Sequence, residues 1–420
     1  MRGAHVHRAV VVRWGIAGLL VLASVVTAVV LTVRHPDALV TLLPSPDMRE
    51  LHVDFDTFWH SAVALTHGAD IYKTPAKLTN LNPPLLTLLL TPLAGFSSLT
   101  AYRIFAAFTL VLVVAAVLAV ARELRLRRGA TALAVLAVLA SSPLHGTLVL
   151  GQIYPLLLVG LVAGWIAERR GRPVVAAVIF GITVALKPSL APLLLLPAVQ
   201  RRWVPLRAGL VAAAAATLLG VLVAGPSSGL EWLRIAVTEP VPDTVDNASL
   251  PGLAVRFGVP SVLGTLLGAV VLVGTLAWVG RHRERIDPAG TVPWAVVAAG
   301  LLVSPISWHN YLMLLWPGVL VLIALRQGAI AAVALSVIVI PVSWNAEWPP
   351  AGFWPDVGRS LYCAILLGYW AVLLRAVLLR PPSADAVAPD GSDVADGTAR
   401  SDDSTVTTPV STPSVPSSGS

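Results

Sequence analysis

Residues 51–84 read LHVDFDTFWHSAVALTHGADIYKTPAKLTNLNPP. The stretch holds two closely spaced carboxylates, Asp54 and Asp56, together with His52, His60, His67, two lysines and a Pro-Pro. The chain is apolar on both sides of it, over 14–33 before and over 84–96 and 101–121 after. Apolar runs of about 20 residues need a bilayer to cover them. A carboxylate-rich island between such runs belongs at the water boundary, where its charges are hydrated. This reading sets the fold class: an all-α polytopic membrane protein whose first long polar gap, 34–83, lies outside the bilayer.

The totals agree. Of the 420 residues, 56% are hydrophobic and 12% charged, with a mean hydropathy of +0.80. A soluble domain carries about 25% charged residues. The net charge of +7 first suggests nucleic acid, but the arginines cluster in short loops between apolar runs, as the positive-inside rule expects. No nucleic-acid partner is therefore predicted. The lone cysteine, Cys363, lies in an apolar run, which excludes an internal disulfide and a cysteine-rich metal site.

Orientation follows from arginine placement. Arg2, Arg8 and Arg13 precede the first apolar run, so the N-terminus is predicted to be cytoplasmic. Phe55, Phe58, Trp59, Ala62 and Val63 recur at helical spacing, which predicts an amphipathic helix on the outer surface with Asp54 at or next to its N-cap. Residues 84–96 are too short to cross and Pro92 breaks them, so they read as a re-entrant half-helix. Arg122 to Arg128, the loop 168–172, Gln200 to Arg202, and Arg281 to Arg285 mark returns to the cytoplasm. Residues 173–199 have cytoplasmic flanks and a break at Lys187-Pro188, which predicts a tight hairpin, one tilted crossing being the competing reading. The count comes to about twelve crossings, with both termini cytoplasmic and the polar oddities external. Residues 1–380 form one membrane domain. Residues 381–420, rich in Ser, Thr, Pro and Asp, read as a disordered cytoplasmic tail. No internal repeat is evident.

Each candidate for chemistry has a plainer alternative. Asp54 can act as a general base at a cavity mouth or simply cap its helix. Asp56 completes a D-x-D, yet two carboxylates about 200° apart on a helix chelate a metal poorly; no metal site and no cofactor are predicted. Lys187 interrupts an apolar run, so it either binds a phosphate or snorkels to the headgroups. His309, beside Trp308 and Tyr311, either orients a phosphate or sugar or belongs to an aromatic belt. Gln152 can bond a sugar or a neighbouring helix. Asn247-Ala248-Ser249 also fits a glycosylation sequon, a pattern frequent by chance.

In their order along 50–375, these motifs resemble glycosyltransferase family 87 of the GT-C superfamily. They are Asp54-Phe55 with Phe58-Trp59, then Gly68 to Tyr72, Pro83-Pro84-Leu85, Thr91 to Ala94, Gly151-Gln152 and Ala185 to Pro188. Asp246 to Leu250 and Ser304 to His309 complete the set. Two positions depart from the pattern: Asn82, where the family usually has an aromatic, and Tyr154, where a small polar residue is usual. The resemblance implies a GT-C-like bundle in the plasma membrane with its active site on the external face. It implies transfer of a sugar, most often mannose and in some relatives arabinofuranose, from a polyprenyl-phosphate donor to a glycolipid or lipoglycan acceptor, with inversion and without a metal. It carries Asp54 over as base, with Asp56, Tyr72, Gln152, Lys187, Asn247 and His309 as substrate contacts. A lipid or sugar transporter without chemistry is the alternative from another class; matched broken helices would mark it.

Overall fold

The computed structural model describes residues 22–41, 43–242, 246–283, 290–325 and 352–377, with single positions and one short stretch besides (15, 18, 19, 287, 344 and 347–349). The apolar run 328–343, one of the twelve crossings expected from the sequence, the arginines of 1–13, Asp243, Arg285 and the tail 381–420 lie outside the described residues. Among the described residues the chain is helical, with no β-strand and one isolated bridge, Asn247 to Trp308.

The helices, in order, are α1 (Leu22–Arg34), α2 (Val53–Thr66), α3 (Pro84–Leu90), α4 (Ser98–Glu123), α5 (Arg128–Leu139), α6 (Ser142–Leu150), α7 (Tyr154–Arg169) and α8 (Pro173–Leu186). Then come α9 (Trp203–Ala224), α10 (Pro226–Thr238), α11 (Leu250–Arg256), α12 (Ser261–Arg281), α13 (Val292–Val303), α14 (Trp316–Ala324), α15 (Phe353–Arg359) and α16 (Leu361–Ala376). Proline occupies the first turn of α3, α6, α7 and α8. There it removes an N–H that would otherwise lack a partner in an apolar surround.

Small residues set the packing. A Cβ on Gly160 would stand 2.2 Å from Thr183 Oγ1, and one on Gly164 would stand 2.4 Å from Phe180 Cε1, so α7 and α8 run antiparallel in close contact. A Cβ on Gly181 would meet Gly209 O and Ala213 N, and one on Gly209 would meet Ala177 O. The residue numbers rise together, so α8 and α9 run parallel. The chain between them must therefore come back, and Arg202 bonds Glu168 at the starting end (Nη2 to Oε2, 3.3 Å). Residues 173–199 are thus a hairpin, and the single tilted crossing is excluded.

The return leg is a 3-10 helix, Pro188–Leu195, followed by one α-turn, Leu196–Val199. At ~2.0 Å per 3-10 residue and ~1.5 Å per α residue, its 12 residues span ~22 Å, matching the ~21 Å of the 14-residue α8. A second hairpin repeats the device. From α13 the chain turns at Ser304–Trp308, and a 3-10 segment, His309–Leu315, leads into α14. A Cβ on Gly318 would lie 3.1 Å from the Trp294 Cβ, so the return leg passes the start of α13. The two hairpins share geometry rather than residues, so the chain shows no sequence repeat.

The twelve expected crossings do not appear as twelve long helices. Among the described residues three are long and apolar enough to cross, α4, α9 and α12. Up to five qualify if the bent pairs α5–α6 (47°) and α15–α16 (51°) each count once. Six further apolar helices are shorter. A 12- to 14-residue helix reaches only ~18–21 Å against a ~30 Å hydrocarbon core. Counting apolar runs between polar breaks scored each hairpin leg as a full crossing. The stretch 225–259 contains α10 and α11.

The bundle has two chemically distinct ends. The loops with Arg122–Arg128, Arg169–Arg172, Arg201–Arg202 and Arg281–Arg283 gather at one, tied by Arg170 to Glu123 (2.9 Å) and Arg202 to Glu168. The two hairpin tips, the start of α2 and the 246–250 turn gather at the other.

Candidate active site

The site is built on the first turn of α2. His52, just before it, stacks on Tyr102 with ring centroids 3.8 Å apart and donates from Nδ1 to Val149 O at 2.6 Å. Tyr102 OH donates to Leu148 O at 2.5 Å. These bonds clamp the end of α6 against α2. Gly151 ends α6 in the left-handed region, φ +75°, and a Cβ there would overlap the Phe55 Cβ at 2.3 Å. Only glycine lets the turn approach so closely. The approach brings Gln152 Nε2 to Asp54 Oδ2 at 2.5 Å, joining residues 98 apart in sequence.

Asp54 does not cap α2. The N-cap position is His52, and no side chain caps the helix there. Asp54 lies on α2, which is not among the helices apolar enough to be candidate membrane spans. It retains some accessible surface while protein packs densely around it. Burial pushes its carboxyl up to about 6. The Gln152 hydrogen bond and the Lys187 charge oppose that rise, and the Asp246 charge reinforces it. Oδ2 is held by Gln152, and no bond to Oδ1 is found among the described residues. The result is an oriented carboxylate whose proton affinity sits near neutrality, as a general base requires.

Lys187 ends α8 with an extended backbone, φ −144°, ψ 93°. Its ammonium lies 5.3 Å from the Tyr311 ring centroid and 3.5 Å from Asn82 Oδ1. Among the described residues it forms no ion pair. Asn82 is fixed by its neighbours: Asn80 Oδ1 accepts from its backbone N (3.0 Å) and Nδ2 (3.3 Å), and Tyr72 OH donates to its carbonyl (2.9 Å). Tyr72 thus reaches the site through Asn82.

Three expected contacts fall differently. Asp56 points away from Asp54, is buried, and lies 3.7 Å from His60 with Ser98 Oγ at 3.4 Å. The two carboxylates of the D-x-D do not converge, and among the described residues no group of three His, Cys, Asp or Glu side chains could hold a metal. Asn247 is fully buried, and its amide is already used. Nδ2 donates to Pro305 O (3.0 Å), while Oδ1 accepts from Ser307 N (3.0 Å) and Ser249 N (3.2 Å). It staples the 246–250 turn to the second hairpin tip, which also removes it as a glycosylation acceptor in the folded chain. His309 is 2% exposed, with Nε2 3.3 Å from Ser142 O and its ring 5.4 Å from Tyr362. It lies inside the bundle, not in an interfacial belt.

Sequence reasoning named Asp246 within a motif but gave neither it nor Tyr311 a role. The Asp246 charge reaches both Asp54 and His309, and Tyr311 carries Lys187 and packs on Tyr154 at 4.3 Å. Asp246 had a visible signal, a carboxylate beside the singled-out Asn247; Tyr311 had none. Adjoining Gln152, Ile153 forms one wall of an apolar groove of about 450 Å³ between α3, α4 and the start of α7, lined also by Leu86, Leu90, Ile104 and Phe108.

The family profile described as "Glycosyltransferase family 87" matches residues 80–305. The chain belongs to this family. It is a membrane glycosyltransferase. An alpha-(1->3)-arabinofuranosyltransferase of Mycolicibacterium smegmatis is 28% identical over 77% of this chain and 78% of its own. A polyprenol-phosphate-mannose-dependent alpha-(1-2)-phosphatidylinositol mannoside mannosyltransferase of the same organism is 26% identical over 65% and 68%. Among solved structures, ArnT from Cupriavidus metallidurans bound to undecaprenyl phosphate aligns with a TM-score of 0.37 and 16% identity over 83% of this chain and 77% of that one.

Proposed function

We propose that this glycosyltransferase moves a sugar from a polyprenyl-phosphate carrier to a hydroxyl of a glycolipid or lipoglycan. The observation that carries the reading is the pairing of an oriented carboxylate, Asp54 on Gln152, with an ammonium, Lys187, that forms no ion pair among the described residues. The acceptor hydroxyl attacks the anomeric carbon and gives its proton to Asp54. The bond from that carbon to the phosphate oxygen breaks, and the phosphate leaves with the electron pair. Lys187 offsets the charge that develops there, and attack opposite the leaving group inverts the centre. Tyr72 and Asn82 steady Lys187, and Asp246 and His309 border the sugar. The apolar groove beside Gln152 suits the first isoprene units of the carrier.

Residues 1–380 act as one transferase domain, and the loop 34–83 supplies the base. The arginine-rich end faces the cytoplasm of a plasma-membrane protein with cytoplasmic termini, which leaves the Asp54 end external. The sugar is a pentofuranose or a hexose. The arabinofuranosyl relative aligns over more of the chain than the mannosyl relative, so arabinofuranose is tested first and mannose second.

The test is transfer from labelled polyprenyl-phosphoarabinose, then polyprenyl-phosphomannose, in membranes bearing wild type or Asp54→Asn. Wild type should label a lipid-extractable product, and Asp54→Asn should lose ~10²–10⁴-fold in rate. Retention of a third or more of the rate by Asp54→Asn would remove Asp54 as base.

A further inference from the structure

A second cavity lies at the opposite end of the bundle, among the arginines. It encloses about 400 Å³ between the ends of α7 and α12 and the starts of α8 and α13. Its mouth is polar, with Arg169, Arg202, His282 and Arg283, while its depth is apolar, with Phe180 and Leu193. Two features make it a built cavity and not a packing fault. Gly290, at φ +71°, faces it; a Cβ there would stand 2.6 Å from Trp165 Nε1 and 3.2 Å from Arg169 Nη1. Trp165 Nε1 donates to Gly290 O at 2.7 Å, and the Arg169 guanidinium lies over the Trp165 ring at 5.0 Å. The Arg169 head is thus held in place at the rim.

The charge balance points one way. Glu168 is taken by Arg202, Glu123 is shared by Arg170 (2.9 Å) and Arg169 (3.5 Å), and Asp287 accepts the backbone N–H groups of Gly290 (3.0 Å) and Val292 (2.8 Å). Arg283 is exposed and forms no ion pair among the described residues. The surrounding loops 122–128, 169–172, 201–202 and 281–283 carry many more arginines than carboxylates. A concave site with a cationic mouth and an apolar depth, placed between apolar helices, complements an anionic lipid head with one chain entering behind it.

We propose that this cavity binds a single anionic phospholipid, its phosphodiester at Arg169 and Arg283 and one acyl chain along Phe180. The site is separate from the transfer chemistry, and its occupant braces the closure of the first hairpin at Glu168 and Arg202.

The test uses the purified full-length protein in a neutral detergent. Thermal unfolding and native mass spectrometry are followed while phosphatidylglycerol, phosphatidylcholine or glycerol phosphate is added. Phosphatidylglycerol should raise the melting temperature saturably and remain bound as one copy; the other two should do neither. Arg283→Glu should weaken the half-saturation concentration by about tenfold. Arg172→Glu makes the same charge change at an exposed position at this end that does not line the cavity, and it should shift half-saturation less than twofold. Arg283→Gln replaces Arg283→Glu if the latter does not fold, with a smaller shift in the same direction. Equal losses in the Arg283 and Arg172 variants would reduce the effect to diffuse attraction and overturn the site. An equal response to glycerol phosphate would make it a small-anion site, and an equal response to phosphatidylcholine would remove the charge argument; either overturns the proposal. None of these readings depends on sugar transfer, so they stand apart from the test of Asp54.

Discussion

The two ends of the bundle treat charge in opposite ways. At the arginine-rich end, Arg170 meets Glu123, Arg202 meets Glu168, and Asp287 is spent on backbone N–H groups. At the other end Asp54 is bonded by a neutral amide, and Lys187 by a long contact to another. Pairing opposite charges stabilises a fold modestly and leaves little reactivity. Keeping a carboxylate and an ammonium apart, each steadied by neutral groups, costs stability and leaves both available to a substrate. Substitution of Asp54 or Lys187 should therefore change rate more than stability, and loss of an arginine–carboxylate pair at the other end the reverse.

The sharpest way to break that contrast is Lys187→Ala. It should lower kcat/KM for the lipid-linked donor by about 10²-fold, the scale of losing one charge-stabilising donor, with an unchanged melting temperature and partial recovery in Lys187→Arg. A melting temperature that falls along with the rate would make Lys187 structural.

A smaller effect lies in pH. With Asp54 at about 6, kcat/KM should be flat above pH 7 and roughly tenfold lower at pH 5. The folded-state value lies above the ordinary carboxylate value, so the folded chain binds this proton more tightly than the unfolded one. Its contribution to stability is present below about pH 4 and is lost as pH rises through about 6. Asp54→Asn should therefore melt higher than wild type at pH 7.5, by on the order of 1–3 kcal/mol once solvent screening is allowed for. The difference should vanish near pH 4. A variant that melts lower at pH 7.5 would contradict the burial that poises the base.

Asn247→Ala sharpens the contrast from within the site end. It strands Ser307 N and Pro305 O, which should cost ~1–3 kcal/mol of stability while the pH profile keeps its midpoint. The smallest effect is Arg202→Ala. That ion pair is about a third exposed on each side, so its loss should cost under ~1 kcal/mol and leave transfer per folded molecule unchanged. A large loss of transfer there would couple the two ends.

Much of this was legible along the chain. Apolar runs separated by arginine loops established a membrane bundle, and the same asymmetry sorted the residues to two ends before any contact was known. Asp54, Gln152 and Lys187 stood out because a polar group in an apolar context demands a reason. Two of the misses were of one kind. Asp56 and Asn247 looked equivalent to their neighbours in the letters, yet one turns to His60 and the other staples a hairpin tip. Helix phase separates Asp54 from Asp56, but which face meets Gln152 depends on Gly151 lying against Phe55.

The amino-acid sequence by itself determined what is local or collective: which runs leave water and which loops hold positive charge. These follow from solvation, which every residue meets through its immediate neighbours. Tertiary structure alone decided what depends on reach. It drew the first return leg into a 3-10 helix, 12 residues matching the span of 14, and it joined Asp54 to a glutamine 98 residues away. Among the described residues it also left Lys187 without an ion pair. A hydrogen bond is lost with a displacement of about an ångström, and no pattern of polar and apolar letters carries that precision.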